Sequence, residues 1–211
     1  MQFQDPNQLV DALSQRVLRH LSASAWRSLF LRPVEEVTRT TPVHGTFLCA
    51  AAQVPEWATN TAAQRDLEFL ARAHGGELDP FPAASGLVRF DEPQAALAMA
   101  IELQQAASEV RYQVGIATGE CVQATLELEG APLPVLLGGV VESVEALTTQ
   151  ATAGSIRLAP ESFALLQDDV ARITGCMVAT EYEGDAPGAT SLMLAPRPNA
   201  FLSSFAGLGL T

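Results

Sequence analysis

The stretch HGGELDPFPAASGLVRF, residues 74–90, decides how this chain folds. It opens on the pair Gly75-Gly76, directly after a run over 57–73 that reads as a helix. A helix that must stop and turn straight into a strand wants a residue tolerant of positive φ, which glycine supplies. Two short runs of strand character follow, 77–82 and 86–90, parted by the segment PAAS.

The texture continues on both sides. Upstream, VHGTFLCAAAQV at 43–54 reads as an apolar strand, and downstream 94–107 reads as an alanine-rich helix. Residues 110–118 and 121–128 alternate as two strands around a Gly119-Glu120 turn, and EGAPLP then reads as a Pro-rich loop. A helix over 140–151, a strand at 155–159, a short helix at 161–167 and strands near 176–182 and 190–195 complete the order. Helices inserted between strands without strict alternation predict an antiparallel or mixed sheet covered by helices, an α+β sandwich.

Ahead of this unit, Asp5 is placed as an N-cap, Pro6 as the first helical residue and Gln8 as the capping-box partner. Leu9, Leu13, Val17 and Leu21 recur at helical spacing, with Trp26, Leu29 and Phe30 extending an apolar side up to Pro33. Such a stripe serves equally to pack on its own domain or to pair with a partner. The tail from Pro196 is punctuated by Pro and Gly yet holds Phe201, Leu202, Phe205, Leu208 and Leu210, the pattern of a loosely held end or of an apolar strip that docks on a neighbour.

Composition narrows the function. Hydrophobic residues make up 48% and charged residues 17%, the balance of a folded domain. No apolar run approaches the length that crosses a bilayer, and the start carries no secretory pattern, so a cytoplasmic protein is expected. The net charge is −12 and all 12 cations are arginine, since the chain contains no lysine. That surface repels phosphate backbones and anionic lipid, which excludes nucleic-acid and membrane-surface roles. Cys49, Cys121 and Cys176 are odd in number and far apart, as are His20, His44 and His74, so neither a disulfide framework nor a zinc spacing exists.

Residues 74–90 resemble a segment of the class III adenylate/guanylate cyclase catalytic domains, in which a helix ends at His-Gly-Gly, a strand carries a lysine, a Gly-Asp turn follows and a second strand ends in Phe. His74, Gly75, Gly76 and Phe90 fall in register without a gap. AALAMAIELQ at 95–104, VRYQVGIATGE at 110–120 and GGVVESVEALTTQATAGSIRLAPESFALL at 138–166 are similar to further family stretches in the same order. RHLSASAWRSLF at 19–30 is similar to the short helix that precedes many such domains. The resemblance implies a ferredoxin-like (βαββαβ) sheet flanked by helices and a head-to-tail dimer whose site is shared by two subunits. One subunit supplies two aspartates for two metal ions; the other supplies a base-reading lysine and an Asn/Arg pair.

At the matching positions those side chains are missing. The second metal aspartate falls on Ala84, and the first on Gln53 in the best register or on Ala50, Ala51 or Ala52 in others; no Asp or Glu occurs from Val37 through Pro55. Pro80 stands for the lysine, Glu142 for the asparagine and Ala146 for the arginine. Rival carboxylates are Glu145 beside Glu142, and Asp79, Asp91 and Glu92 around the two short strands, all of types that more commonly serve as solvated charges. Cys121 after the Gly-Glu turn is a possible thiol nucleophile without a histidine nearby in sequence, and Ser85 lacks the flanking pattern of a nucleophile turn.

The expectation is therefore a catalytically inactive cyclase-like domain with no cofactor and no metal, acting as a signalling interaction or dimerisation module with itself or a protein partner. A small-molecule or nucleotide sensor using the residual cleft is the alternative, and an active cyclase the second alternative. The chain divides into an amphipathic segment at 1–35, the cyclase-like domain at 36–195 and the tail at 196–211.

Overall fold

The computed structural model describes residues 6–17, 38–53, 61–79, 85–106, 110–128, 131–183 and 186–195. In chain order they form α1 (Pro6–Val17), β1 (Thr38–Gln53), α2 (Thr61–Ala73), β2 (Glu77–Leu78), β3 (Gly86–Phe90), α3 (Pro93–Ala106) and β4 (Arg111–Leu128). Then come β5 (Ala131–Leu137), α4 (Gly139–Gln150), β6 (Ser155–Leu158), α5 (Pro160–Ala171), β7 (Cys176–Glu183) and β8 (Ala186–Leu194). The run β1-α2-β2-β3-α3-β4 is the βαββαβ unit, and the architecture is the expected α+β sheet flanked by helices.

One mixed sheet of 8 strands runs β2-β3-β1-β4-β6-β8-β7, with β5 paired to β4. Among the described residues only β4 and β6 pair in parallel, aligning Val114 with Ile156; the other pairings are antiparallel. The helix stop at the glycine pair takes the predicted form. Gly75 sits at φ 72°, its N–H donates to Arg72 O at 3.2 Å, and the Gly76 N–H donates to Ala71 O at 2.7 Å. These two bonds are the Schellman closure, which satisfies carbonyls the helix end would otherwise leave open.

Two sequence expectations are corrected here. Residues 110–128 do not break into two strands at Gly119-Glu120: β4 is continuous, with Gly119 opposite Gly45 and Glu120 opposite His44. The long partner β1, which begins at Thr38 rather than 43, supplies a ladder through the turn-like pair. EGAPLP is not a loop throughout, because Ala131–Leu137 forms β5. Its prolines, Pro132 and Pro134, are tolerated because among the described residues β5 pairs on one side only, with β4.

The two faces of the sheet are closed differently. Leu48, Val88, Phe90, Ile116, Ile156, Leu158 and Leu192 face a large apolar core shared with Leu67 and Leu70 of α2, Met99 and Leu103 of α3, and Leu166 of α5. On the opposite side Phe47, Cys49, Leu87, Ala117 and Cys121 pack against Val141, Val144 and Leu147 of α4. At Gly115 a Cβ would lie 2.6 Å from Val144 O, so α4 rests its backbone on the sheet at a position that has no side chain. Helix α1 packs Leu9, Leu13 and Val17 on Ala124 and Leu126 of β4 and Val135 and Leu137 of β5. The N-terminal stripe thus packs on its own domain as far as Val17; Leu21 and the apolar positions through Phe30 lie outside the described residues, as does the tail from Pro196.

Candidate functional site

Of the positions singled out in the sequence, Ala51, Gln53, Glu142 and Ala146 lie on the α4 side of the sheet or on α4 itself. Along β1, Leu48, Ala50 and Ala52 lie against the large core, whereas Phe47 and Cys49 lie under α4. Strand alternation therefore directs Ala51 and Gln53 to the α4 side and removes Ala50 and Ala52 as counterparts of a metal ligand on that face. Gln53 is the exposed last residue of β1, opposite Arg111. Glu142 and Ala146 stand one turn apart on the exposed side of α4. Pro80 and Ala84 lie outside the described residues, between Asp79 at the end of β2 and Ser85 at the start of β3.

Helix α4 is fixed to β1 by Thr148, whose buried hydroxyl shares its proton between Val144 O at 2.8 Å and Cys49 O at 3.1 Å. The Cys49 thiol is buried beside Ser85 and Thr148; burial pushes its pKa up, and hydrogen bonds to those two residues oppose the shift. It is a protonated, inert thiol at neutral pH. Cys121 is likewise pushed up by burial, to about 11, so the nucleophile reading finds no thiolate there.

Sequence reasoning missed the residue at the centre of this face. Arg16 of α1 donates from one guanidinium nitrogen to Glu145 Oε1 at 2.7 Å and from the other to Asp79 Oδ2 at 3.2 Å. The Asp79 side chain is 1% exposed and that of Arg16 15%. Burial works against the guanidinium charge, but Asp79 and Glu145 outweigh it and hold the Arg16 pKa above its ordinary value. The missed signal was helical: Arg16 sits one residue before Val17 and three after Leu13, on the flank of the buried stripe, where a cation needs an anionic partner.

Does this face fit the metal ions that the resemblance implies? Two-metal chemistry requires hard oxygen donors grouped within a few ångströms. Among the described residues no group of three or more His, Cys, Asp or Glu is placed to hold a metal ion. Where carboxylates do come together an arginine stands between them: Arg16 between Asp79 and Glu145, and Arg89 between the exposed Glu77 at 3.3 Å and Asp91. Glu142 is exposed on α4, while Asp91, itself exposed, pairs with Arg89 across 3.4 Å. The residues present do not fit the group.

No protein-family model matches the sequence, nor does any curated protein. Solved structures do match. The adenylyl cyclase CyaB from P. aeruginosa superposes with a TM-score of 0.59 at 16% identity, over 75% of this chain and 97% of that one. An adenylate/guanylate cyclase/hydrolase from Silicibacter pomeroyi gives a TM-score of 0.54 at 19% identity, over 74% and 99%. The guanylyl cyclase domain of the RhoGC fusion protein from the aquatic fungus Blastocladiella emersonii, in a dimeric form, gives 0.54 at 11% identity, over 73% and 98%.

Proposed function

We propose that this chain, which has the fold of adenylyl and guanylyl cyclase catalytic domains, is a catalytically silent version of it. In this reading it serves in the cytoplasm as a signalling module for dimerisation or for holding a protein partner. Residues 1–35 are its coupling segment, 36–195 its cyclase-like domain and 196–211 a tail.

The observation that carries the reading is the donor set on the α4 face. Cyclisation of a nucleoside triphosphate builds negative charge at the α-phosphate, which divalent cations and an arginine must absorb. Gln53 and Ala51 supply no carboxylate, Ala146 supplies no cation, and Glu142 adds an anion where a triphosphate would lie. The face itself persists, since folds outlast the sites grafted on them. An interaction role is supported by Met177, Val178, Tyr182 and Met193, which leave apolar surface exposed on the β7–β8 hairpin at the sheet edge.

Sedimentation velocity of the purified chain across the micromolar range tests the role, and a concentration-dependent dimer is expected. A strict monomer that also retains no protein partner would overturn it. One observation favours the sensor alternative: Asp79 and Glu145 already grip a cationic group in the cleft. A thermal-shift panel of nucleotides and cationic metabolites separates the two readings, because a ligand bound by the folded state alone raises Tm.

A further inference from the structure

An unpaired strand edge is a template for pairing with another chain, and folded proteins normally blunt it. Among the described residues three strands of this sheet pair on one side only: β2, β5 and β7. Two of them are blunted by recognised means. β2 is only 2 residues long, and β5 carries Pro132 and Pro134. β7 has neither device. It is 8 residues long, its run from Cys176 to Thr180 holds neither a charge nor a proline, and its register shift falls late, between Thr180 and Tyr182. Lysine, a common guard of edges, is absent from the whole chain.

The ladder shows which groups this edge offers. The Ala195 N–H donates to Gly175 O at 3.0 Å, so Gly175 and Ala195 form a hydrogen-bonded pair. Antiparallel pairs alternate, which makes Met177–Met193 and Ala179–Ser191 the next bonded pairs. Cys176, Val178 and Thr180 therefore point their N–H and C=O groups away from β8. The hydroxyls of Thr180 and Thr190, 3.0 Å apart, fit the closer side-chain spacing of a pair that exchanges no backbone bonds. Apolar surface lies beside these groups. Leu192 faces the large core, so alternation puts Met193, and Met177 opposite it, on the α4 side of the sheet, where both are exposed. Val178 and Tyr182 add exposed apolar area along the same strand.

Charge selects the occupant. β7 is preceded by Arg172 and ends in Glu181 and Glu183, so the strand is basic at one end and acidic at the other. Two copies of one edge related by a twofold axis run antiparallel, and the basic end of each then meets the acidic end of the other. Such matching matters in a chain of net charge −12, whose copies otherwise repel. We propose that the outward edge of β7 is a homodimer surface: a second copy of this chain adds its own β7 antiparallel, about a twofold axis near Val178, and joins the two sheets into one. This surface rests on the dimerisation role proposed above and gives that role its location. One strand edge is small for an interface, so the association is weak and concentration-dependent.

Hydrogen exchange by mass spectrometry and sedimentation velocity on the full chain, each run at low and at high micromolar concentration, test the edge. As the wild type dimerises, exchange in 176–182 slows, while exchange in 141–148 of α4 does not change. Val178→Pro removes an outward N–H and no bond to β8, and is expected to weaken association about tenfold or more. Across an axis near Val178 the two copies of Met177 come within side-chain reach. Met177→Glu and Met177→Arg therefore each weaken association, and mixing the two variants restores it, a rescue that a purely structural role of this exposed residue would not produce. A wild-type dimer whose 176–182 segment exchanges alike at both concentrations would overturn the edge and leave dimerisation to another surface. So would mixed Met177 variants that associate no better than either alone, a result that decides even if Val178→Pro does not fold. A wild type that stays monomeric throughout overturns the edge and the dimer together, and leaves only the holding of a different protein.

Discussion

The two faces of one sheet solve the same problem in opposite ways. On the face covered by α2, α3 and α5, closure is by apolar side chains from every element, Phe90, Met99, Leu103 and Leu166 among them, all nearly or wholly buried. On the other face one helix, α4, lies over the sheet, and beside it Arg16 of α1 bridges two carboxylates, Asp79 after β2 and Glu145 on α4 itself. Burial of apolar area is non-directional and cooperative, so the first face is stable whatever the chain does. A bridge of charges depends on geometry, salt and the presence of all partners, so this part of the second face is the more sensitive to conditions.

The contrast is broken most severely by emptying the first face. Phe90→Ala removes a wholly buried ring and is expected to cost about 3–5 kcal/mol, lowering Tm by on the order of 10 °C in a thermal melt. A loss below about 1 kcal/mol would show that this core is not the main support. Next in size is Gly115→Ala on the second face. Its Cβ would press on Val144 O and on the Thr148 backbone, so α4 must lift, with an expected loss of about 2–3 kcal/mol and faster amide exchange in 141–148.

Alkaline pH acts on both faces and more gently. Burial raises the Cys121 thiol to about 11, and burial together with Asp66 raises the Tyr112 phenol to about 12. Each folded-state pKa lies above its unfolded value, so the protonated form is favoured by folding. The resulting stability is complete below about pH 9 and declines as pH rises through about 11 to 12, read as a falling denaturant midpoint; a midpoint flat to pH 11 contradicts the burial of Cys121. The smallest effect belongs to the Arg157–Glu181 pair, where Arg157, its side chain 11% exposed, donates from both guanidinium nitrogens at 2.7 Å and holds the exposed Glu181 carboxyl below its ordinary value. Glu181→Gln is expected to lower Tm only slightly, because Glu181 stays in water and the amide keeps one acceptor for the guanidinium; a drop as large as that of Gly115→Ala would contradict this order.

Most of the fold was legible because its signals are local. The Gly75-Gly76 stop and the helical stripe at Leu9, Leu13 and Val17 each carry their own structural instruction. The failures were tertiary. Gly119-Glu120 has turn chemistry, yet pairing with Gly45 and His44 draws it into a strand, and the prolines of β5 read as loop until the free edge of that strand is known. For the site, the side-chain types at Gln53, Glu142 and Ala146 are plain in the sequence, and their equivalence to the family's donors rests on the resemblance. The Arg16 bridge could not be read there, because Arg16 is separated from Asp79 and Glu145 by 63 and 129 residues and only the fold brings them together.

The central claim, catalytic silence on a cyclase fold, is tested most directly by product formation. Purified full chain is incubated with ATP or GTP and either magnesium or manganese, and cyclic nucleotide is measured by mass spectrometry against the P. aeruginosa adenylyl cyclase CyaB. The account predicts no cAMP or cGMP above the protein-free blank with any combination. Product that scales with protein concentration and disappears on heat denaturation would contradict it.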